Sequence, residues 1–264
     1  MAGRPKKGGN PERRMSLGEH LVELRKRLTI AAIGILLAAI GGFLLSDSVI
    51  KFLLLPIAEV ADDRKILLSY TTLTEQFDLR FQIAIVLGVL ISSPIWLYQI
   101  FAFFVPGLTR KEKRYTFGFF FSAVPLFLGG AAVGFLIFPH MVALLTSFNG
   151  SSLAVTYLSA RPYYDFVMKL VLACGIAFVL PVFLVLLNFV GVISARGILK
   201  GWRVAILIIT LFCALATPAA YLVSMFVLAI PMVILYFAAA GIAWLHDRRI
   251  AKRDAKLAAE AEAA

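Results

Sequence analysis

Charges in this chain gather in short blocks, and the stretches between them are apolar and long. The first uncharged stretch covers 28–45, between Arg27 and Asp47, and a second covers 81–105, between Arg80 and Arg110. A third runs without formal charge from Tyr115 to Arg161. A bilayer-spanning helix needs about 20 apolar residues, so this third stretch is too long for one span. The breaker cluster Asn149-Gly150-Ser151-Ser152 divides it and leaves a span at 115–138. A fourth span is predicted at 170–193. The last uncharged stretch, 204–245, holds Thr217-Pro218 near its middle. Proline disfavours helical backbone at the residue before it, so this stretch reads as two helices, 204–216 and 221–245.

The pattern therefore predicts an all-α integral membrane protein of six spans, with short fifth and sixth helices. Residues 1–15 form a basic tail, 16–245 the membrane domain and 246–264 a charged tail. Leu17, Leu21, Leu24 and Leu28 share one helical stripe, which predicts an amphipathic helix start at 18–28 leading into the first span. In the loop after that span, Val49, Phe52, Leu53 and Ile57 also recur at helical spacing. With Pro56 interrupting them, they predict a cap of short helices over the outer ends of the spans. The tail beyond position 250, rich in Ala, Lys and Glu, reads as solvated and partly helical. Pro94, Pro125, Pro181 and Pro231 fall inside spans, where they read either as ordinary kinks or as bends shaping a concave surface.

Composition agrees with the pattern. Hydrophobic residues are 61% of the 264, charged residues 16%, and mean hydropathy is +0.91. A soluble domain carries about 25% charged residues, so this chain has too few to cover a soluble globule. The net charge of +11 would suit nucleic acid, but in a chain this apolar it reads as topology signal and lipid contact. Of the 26 Lys and Arg residues, 20 fall in the N-terminal segment, the 106–114 loop, the 194–203 loop and the C-terminal tail. That asymmetry predicts both termini on the cytoplasmic side. No cleavable signal peptide is evident, and the two cysteines, Cys174 and Cys213, read as small buried side chains.

Little here suggests catalysis. Phosphate-loop, zinc-protease and serine-hydrolase motifs are absent, and His20, His140 and His246 are scattered at span ends. No acidic residue lies deep in a span, which argues against a proton relay, and no inverted repeat supports a small-solute transporter. The cytoplasmic carboxylates Glu23 and Glu112 carry more information. Each is an acid set among basic residues at the same predicted membrane face. They read either as local ion pairs or as acceptors for guanidinium groups of a partner, since arginine–carboxylate pairing is bidentate and geometry-specific.

His20-Leu21-Val22-Glu23-Leu24-Arg25-Lys26-Arg27-Leu28 resembles the N-terminal signature of the TatC family, the receptor subunit of the twin-arginine protein translocase. The stretch from Ser93 to Leu108, continuing into Arg110-Lys111-Glu112-Lys113-Arg114, resembles that family's second span and first cytoplasmic loop. Phe138-Pro139, Tyr163, Pro181-Val182, Thr217-Pro218 and Leu228-Ala229-Ile230-Pro231 extend the match. The resemblance implies a concave six-span bundle with no cofactor, no metal and no enzymatic activity. It implies that Glu23 and Glu112 bind the paired arginines of signal peptides on folded cargo at the cytoplasmic face of the cell membrane. Arg25, Phe103 and Pro106 match positions near that surface, and Pro56 matches the proline of the first extracytoplasmic loop.

The implied partners are single-span proteins of the TatA and TatB type, further copies of the chain itself and membrane lipid, with transport drawing on the proton-motive force. The chain departs from the family at Val179, Ala220 and Phe237, where relatives carry polar residues. The fourth-span polar site is associated with docking of TatA-type partners, so a divergent relative that binds signals but assembles differently is the alternative.

Overall fold

The structure is a computed structural model that describes residues 17–64, 66–70, 72, 74–104, 110–147, 156–216 and 222–262. Ten elements follow one another: α1 (Leu17–Arg64), β1 (Ile66–Ser69), α2 (Glu75–Ile91), α3 (Ser93–Phe104), α4 (Arg110–Ser147), β2 (Thr156–Ser159), α5 (Ala160–Phe189), α6 (Ala195–Lys200), α7 (Trp202–Ala216) and α8 (Leu222–Glu262). Among the described residues, four helices are long and apolar enough to cross a membrane, and α2 with α3, bent by 57° at the break between them, are so when taken together. The apolar α7 has 15 residues, short for a full crossing. The chain is a multi-pass membrane protein, and its described residues are almost all helical, with one small strand pair among them.

The bend between α2 and α3 has a local cause. Pro94 is the second residue of α3 and has no N–H to offer the carbonyl one turn back. Beside the break, two carbonyls of the last turn of α2 take side-chain donors. Gly88 O accepts from Ser92 N (3.0 Å) and from Ser92 Oγ (2.6 Å), while Val89 O accepts from the Trp96 indole at 2.9 Å. The break is thus hydrogen-bonded within the bundle, as irregular backbone at membrane depth must be.

Helix pairs approach closely where glycine removes the side chain. A Cβ on Gly130 of α4 would lie 2.6 Å from the carbonyl oxygen of Cys174 in α5, and one on Gly175 would lie 2.8 Å from the Phe127 ring. Gly42 and Gly88 do the same for α1 and α2, each meeting a backbone carbonyl of the other helix at 2.8 Å. Small residues let membrane helices meet backbone to backbone. The core sits around α5, where Tyr164, Val167, Leu170 and Cys174 are fully buried against α2, α4 and α8.

Two expectations need correction. The first loop does not form separate short helices: α1 runs unbroken through position 56 to Arg64. Proline removes one N–H and bends a helix without having to end it, as it also fails to do at Pro125, Pro139, Pro181 and Pro231. After α1 the chain forms β1, which pairs in parallel with β2, Ile66 opposite Thr156 and Ser69 opposite Ser159. The sixth helix is not short either. α8 has 41 residues, because the Ala-rich tail favours helix and continues it to Glu262.

Candidate functional site

At the N-terminal end of α1 the amphipathic pattern is inverted relative to a soluble helix. Leu21, Leu24 and Leu28 face away from the protein, at 65%, 42% and 66% exposure. Between His20 and Ile30 only Glu23 and Arg27 are half-buried. They are four residues apart and so share one face. In a membrane the leucines suit lipid, and the charged face is left to pack against protein.

That face meets α3. The Glu23 and Arg27 side chains are 20% and 23% exposed. Arg27 Nε and Nη2 both donate to Glu23 Oε1, at 3.0 and 2.6 Å, and Arg27 Nη1 reaches Gln99 Oε1 of α3 at 3.4 Å. Glu23 Oε2 is buried and has no hydrogen-bond partner among the described residues. One turn before Glu23, the His20 ring stacks on Phe103 with centroids 4.3 Å apart. The result is a partly buried carboxylate between two helices, with one oxygen holding a guanidinium and an aromatic face beside it.

Of the residues singled out in the sequence, Glu23 and Phe103 are brought to this corner. Arg25 is not: two residues on, it lies about 200° round the helix and is exposed. Glu112 lies in the first turn of α4, and its side chain lies outside the described residues, as Pro106 does altogether. The Pro56 side chain, Pro218 and Ala220 also lie outside them. Three residues of the corner, His20, Arg27 and Gln99, were not among the predicted site residues. The 20/23/27 spacing on one helical face is the signal that could have found the first two.

Val179 is 4% exposed and packs with Leu97, Phe101, Ala123, Phe127, Val182 and Leu186. An acid here would be desolvated inside the chain's own bundle, which gives the apolar residue a packing reason. Phe237, at 42% exposure, does face outward from α8. Asn188 is 3% exposed, and its amide nitrogen is committed inside the chain. Its Nδ2 donates to Ile193 O and to Asp247 Oδ1 of α8, both at 2.9 Å. Asp247 Oδ2 also accepts from Ala195 N at 2.8 Å. Among the described residues no three His, Cys, Asp or Glu gather as a metal site.

A second polar junction lies at the opposite end of the bundle. Glu75 is 3% exposed; its Oε1 accepts from Arg161 N at 2.9 Å and its Oε2 from Thr72 N at 3.3 Å. It ties the segment after β1 to the start of α5.

Comparison with known proteins gives one consistent answer. The family model described as TatC, Sec-independent protein translocase protein, matches residues 19–231. The Sec-independent protein translocase protein TatC of Xylanimonas cellulosilytica is 44% identical over 251 residues, covering 94% of this chain and 90% of its own. Its namesake in Rothia mucilaginosa is 37% identical over 252 residues, covering 94% and 86%. A crystal structure described as the twin-arginine translocase receptor TatC superposes with a TM-score of 0.75 at 31% identity, covering 85% of this chain and 99% of that one.

Proposed function

The chain belongs to the TatC family, and on that premise we propose that it is the receptor subunit of a twin-arginine translocase. Glu23 and Glu112 bind the two arginines of signal peptides carried by folded proteins, at the cytoplasmic face of the cell membrane. Both termini are cytoplasmic. Single-span proteins of the TatA and TatB type, and further copies of this chain, complete an assembly driven by the proton-motive force. The chain is a binding and scaffold protein with no catalytic step of its own.

The observation that carries this reading is the state of Glu23. It is a partly buried carboxylate already holding one guanidinium on a single oxygen, with its second oxygen unpartnered among the described residues. Such a group is built to accept directional N–H donors, and arginine offers them in a fixed fork. The aromatic pair His20 and Phe103 supplies an apolar wall beside it. Arg25 and Lys26 repel a distant cation, so recognition is short-ranged and depends on contact geometry.

The test is equilibrium binding of a signal peptide to membranes carrying Glu23→Ala, Glu112→Ala or both. Each charged hydrogen-bonded contact is worth about 1.5–3 kcal/mol. Each single change should therefore weaken binding by about one to two orders of magnitude. An Arg-Arg peptide should bind more tightly than its Lys-Lys counterpart. Parental affinity in the double variant would remove the receptor assignment.

A further inference from the structure

An apolar cleft far along the chain from Glu23 has no part in signal binding. It has a volume of about 710 Å³ and lies between α5, the α6–α7 stretch and α8, with Leu184, Gly197, Gly201, Ile208 and Met232 among its walls. Among the described lining residues only Tyr236 carries a hydroxyl, and that hydroxyl donates to Ile198 O at 2.6 Å. The lining side chains therefore offer a ligand hydrocarbon contact. Glycine keeps the cleft open. A Cβ on Gly201 would meet nothing closer than 3.5 Å, the Gly197 carbonyl oxygen, so a side chain there has room to grow into the cleft.

Positive charge runs along the same wall. Gly201 N donates to Gly197 O at 3.1 Å and Ala205 N to Gly201 O at 3.0 Å, so helical pairing carries over from α6 into α7. Along this stretch Arg196, Lys200 and Arg203 follow at four- and three-residue spacing and form one exposed stripe. Each directly precedes a lining residue, Gly197, Gly201 or Val204, which sets the stripe about 100° round the helix from the cleft wall. No Asp or Glu occurs between positions 166 and 246. Asp247, the next acid, is held by the Asn188 amide and the Ala195 N–H. Among the described residues none of the three bases makes an ion pair, and Arg203 lies over the Trp202 ring at 5.6 Å.

We infer that this cleft binds an anionic phospholipid, with an acyl chain between the helices and the phosphate on Arg196, Lys200 and Arg203. The site does not depend on the signal-peptide reading. Guanidinium and ammonium groups give a phosphate charge-assisted hydrogen bonds. Three bases without a neutralising acid prefer a head of net negative charge to a zwitterionic one. From Lys200 to Ile209 the wall runs about 14 Å, close to the depth of one leaflet of a roughly 30 Å hydrocarbon layer. Trp202, 43% exposed, lies between the basic stripe and the apolar depth, the level at which interfacial tryptophan is enriched. An amphipathic ligand satisfies both halves of the site. The apolar wall gives nothing to a free phosphate, and the basic stripe gives nothing to a purely apolar helix.

The experiment is native mass spectrometry of the full chain in a zwitterionic detergent, titrated with phosphatidylglycerol or phosphatidylcholine of identical acyl chains. The parent should retain phosphatidylglycerol more tightly than phosphatidylcholine. Arg196→Gln, Lys200→Gln and Arg203→Gln combined should weaken phosphatidylglycerol binding about a hundredfold, at about fivefold for each base, and bring it level with phosphatidylcholine. Lys252→Gln, Arg253→Gln and Lys256→Gln combined removes the same charge from the far part of α8 and should change retention little. Gly201→Leu fills the cleft and keeps every charge, so it should reduce retention of both lipids. Gly241→Leu is its control, since a Cβ there meets nothing within 4 Å and the residue does not line the cleft. If Gly201→Leu does not accumulate, Gly197→Leu fills the same wall. Equal retention of the two headgroups by the parent, or equal losses in the two triple variants, overturns the site and leaves only diffuse attraction. Undiminished retention in the filled cleft shows that no chain enters it and overturns the proposal as well. Displacement of the lipid by a single-span protein that binds the Arg196, Lys200 and Arg203 variant at full affinity would make the cleft a helix-docking groove instead.

Discussion

Replacing Gly130 by alanine tests whether close approach of α4 and α5 organises the bundle. The added Cβ would sit 2.6 Å from the Cys174 carbonyl oxygen and 2.8 Å from Cβ and Cγ of Phe178. Carbon and carbonyl oxygen normally meet no closer than about 3.3 Å, so the two helices must part locally by about 0.7 Å. No side-chain rotation relieves this, because the nearest obstacle is backbone. Parting loosens contacts around Ala131, Cys174, Ala177 and Phe178, all buried. Overpacking of this kind costs about 1–3 kcal/mol. Gly129 is the matched control, since a Cβ there meets nothing within 4 Å. In a helix interior, alanine in place of glycine gains about 0.5–1 kcal/mol. Thermal unfolding in detergent can be followed with a thiol-reactive dye, because Cys174 and Cys213 are both buried in the folded chain. Labelling should begin at a lower temperature in Gly130→Ala than in the parent, and no lower in Gly129→Ala. A Gly130→Ala protein as stable as Gly129→Ala would refute the steric argument.

Three further outcomes are expected. Asp247→Ala leaves the amide of Asn188 and Ala195 N–H without their shared acceptor; a loss of about 1–3 kcal/mol should appear as faster hydrogen exchange at Ala195. Glu75→Gln keeps one acceptor oxygen and replaces the other by a donor facing an N–H, so protection of β1 and β2 should fall together, and unchanged exchange would argue against the junction. A reporter fused after Trp244 should behave as cytoplasmic and one inserted near Asn149 as exported; the reverse would overturn the orientation drawn from the basic residues.

The helices were legible in the sequence where a single physical term dominates. Uncharged stretches located the apolar helices, and Pro94 marked the bend, since a missing N–H acts locally. Pro56 misled because a helix can carry one lost hydrogen bond when the residues on both sides still favour it. The β1–β2 pair was not legible: its strands are four residues each and lie about ninety positions apart, and nothing local encodes their register. The same holds for Asp247 and Glu75, whose sequence neighbours make them look like ordinary boundary or loop acids. Their partners are backbone N–H groups and an amide brought close only by folding. The Glu23–Arg27 pair, four residues apart on one helix, could have been read from spacing, but the reach of Arg27 to Gln99 depends on α3 packing against that end of α1.

The unbroken α1 has a mechanical consequence. Its 48 residues make a rod about 70 Å long at 1.5 Å per residue, more than twice the roughly 30 Å hydrocarbon layer. Glu23 lies near one tip and the start of β1 just past the other. A tilt of only about 5° about a pivot at one end would sweep the far tip through some 6 Å, about the pitch of one helical turn. A tilt imposed at the carboxylate end would thus be felt, through lever action alone and without any relay of side chains, at the strand pair beyond the other end of the helix.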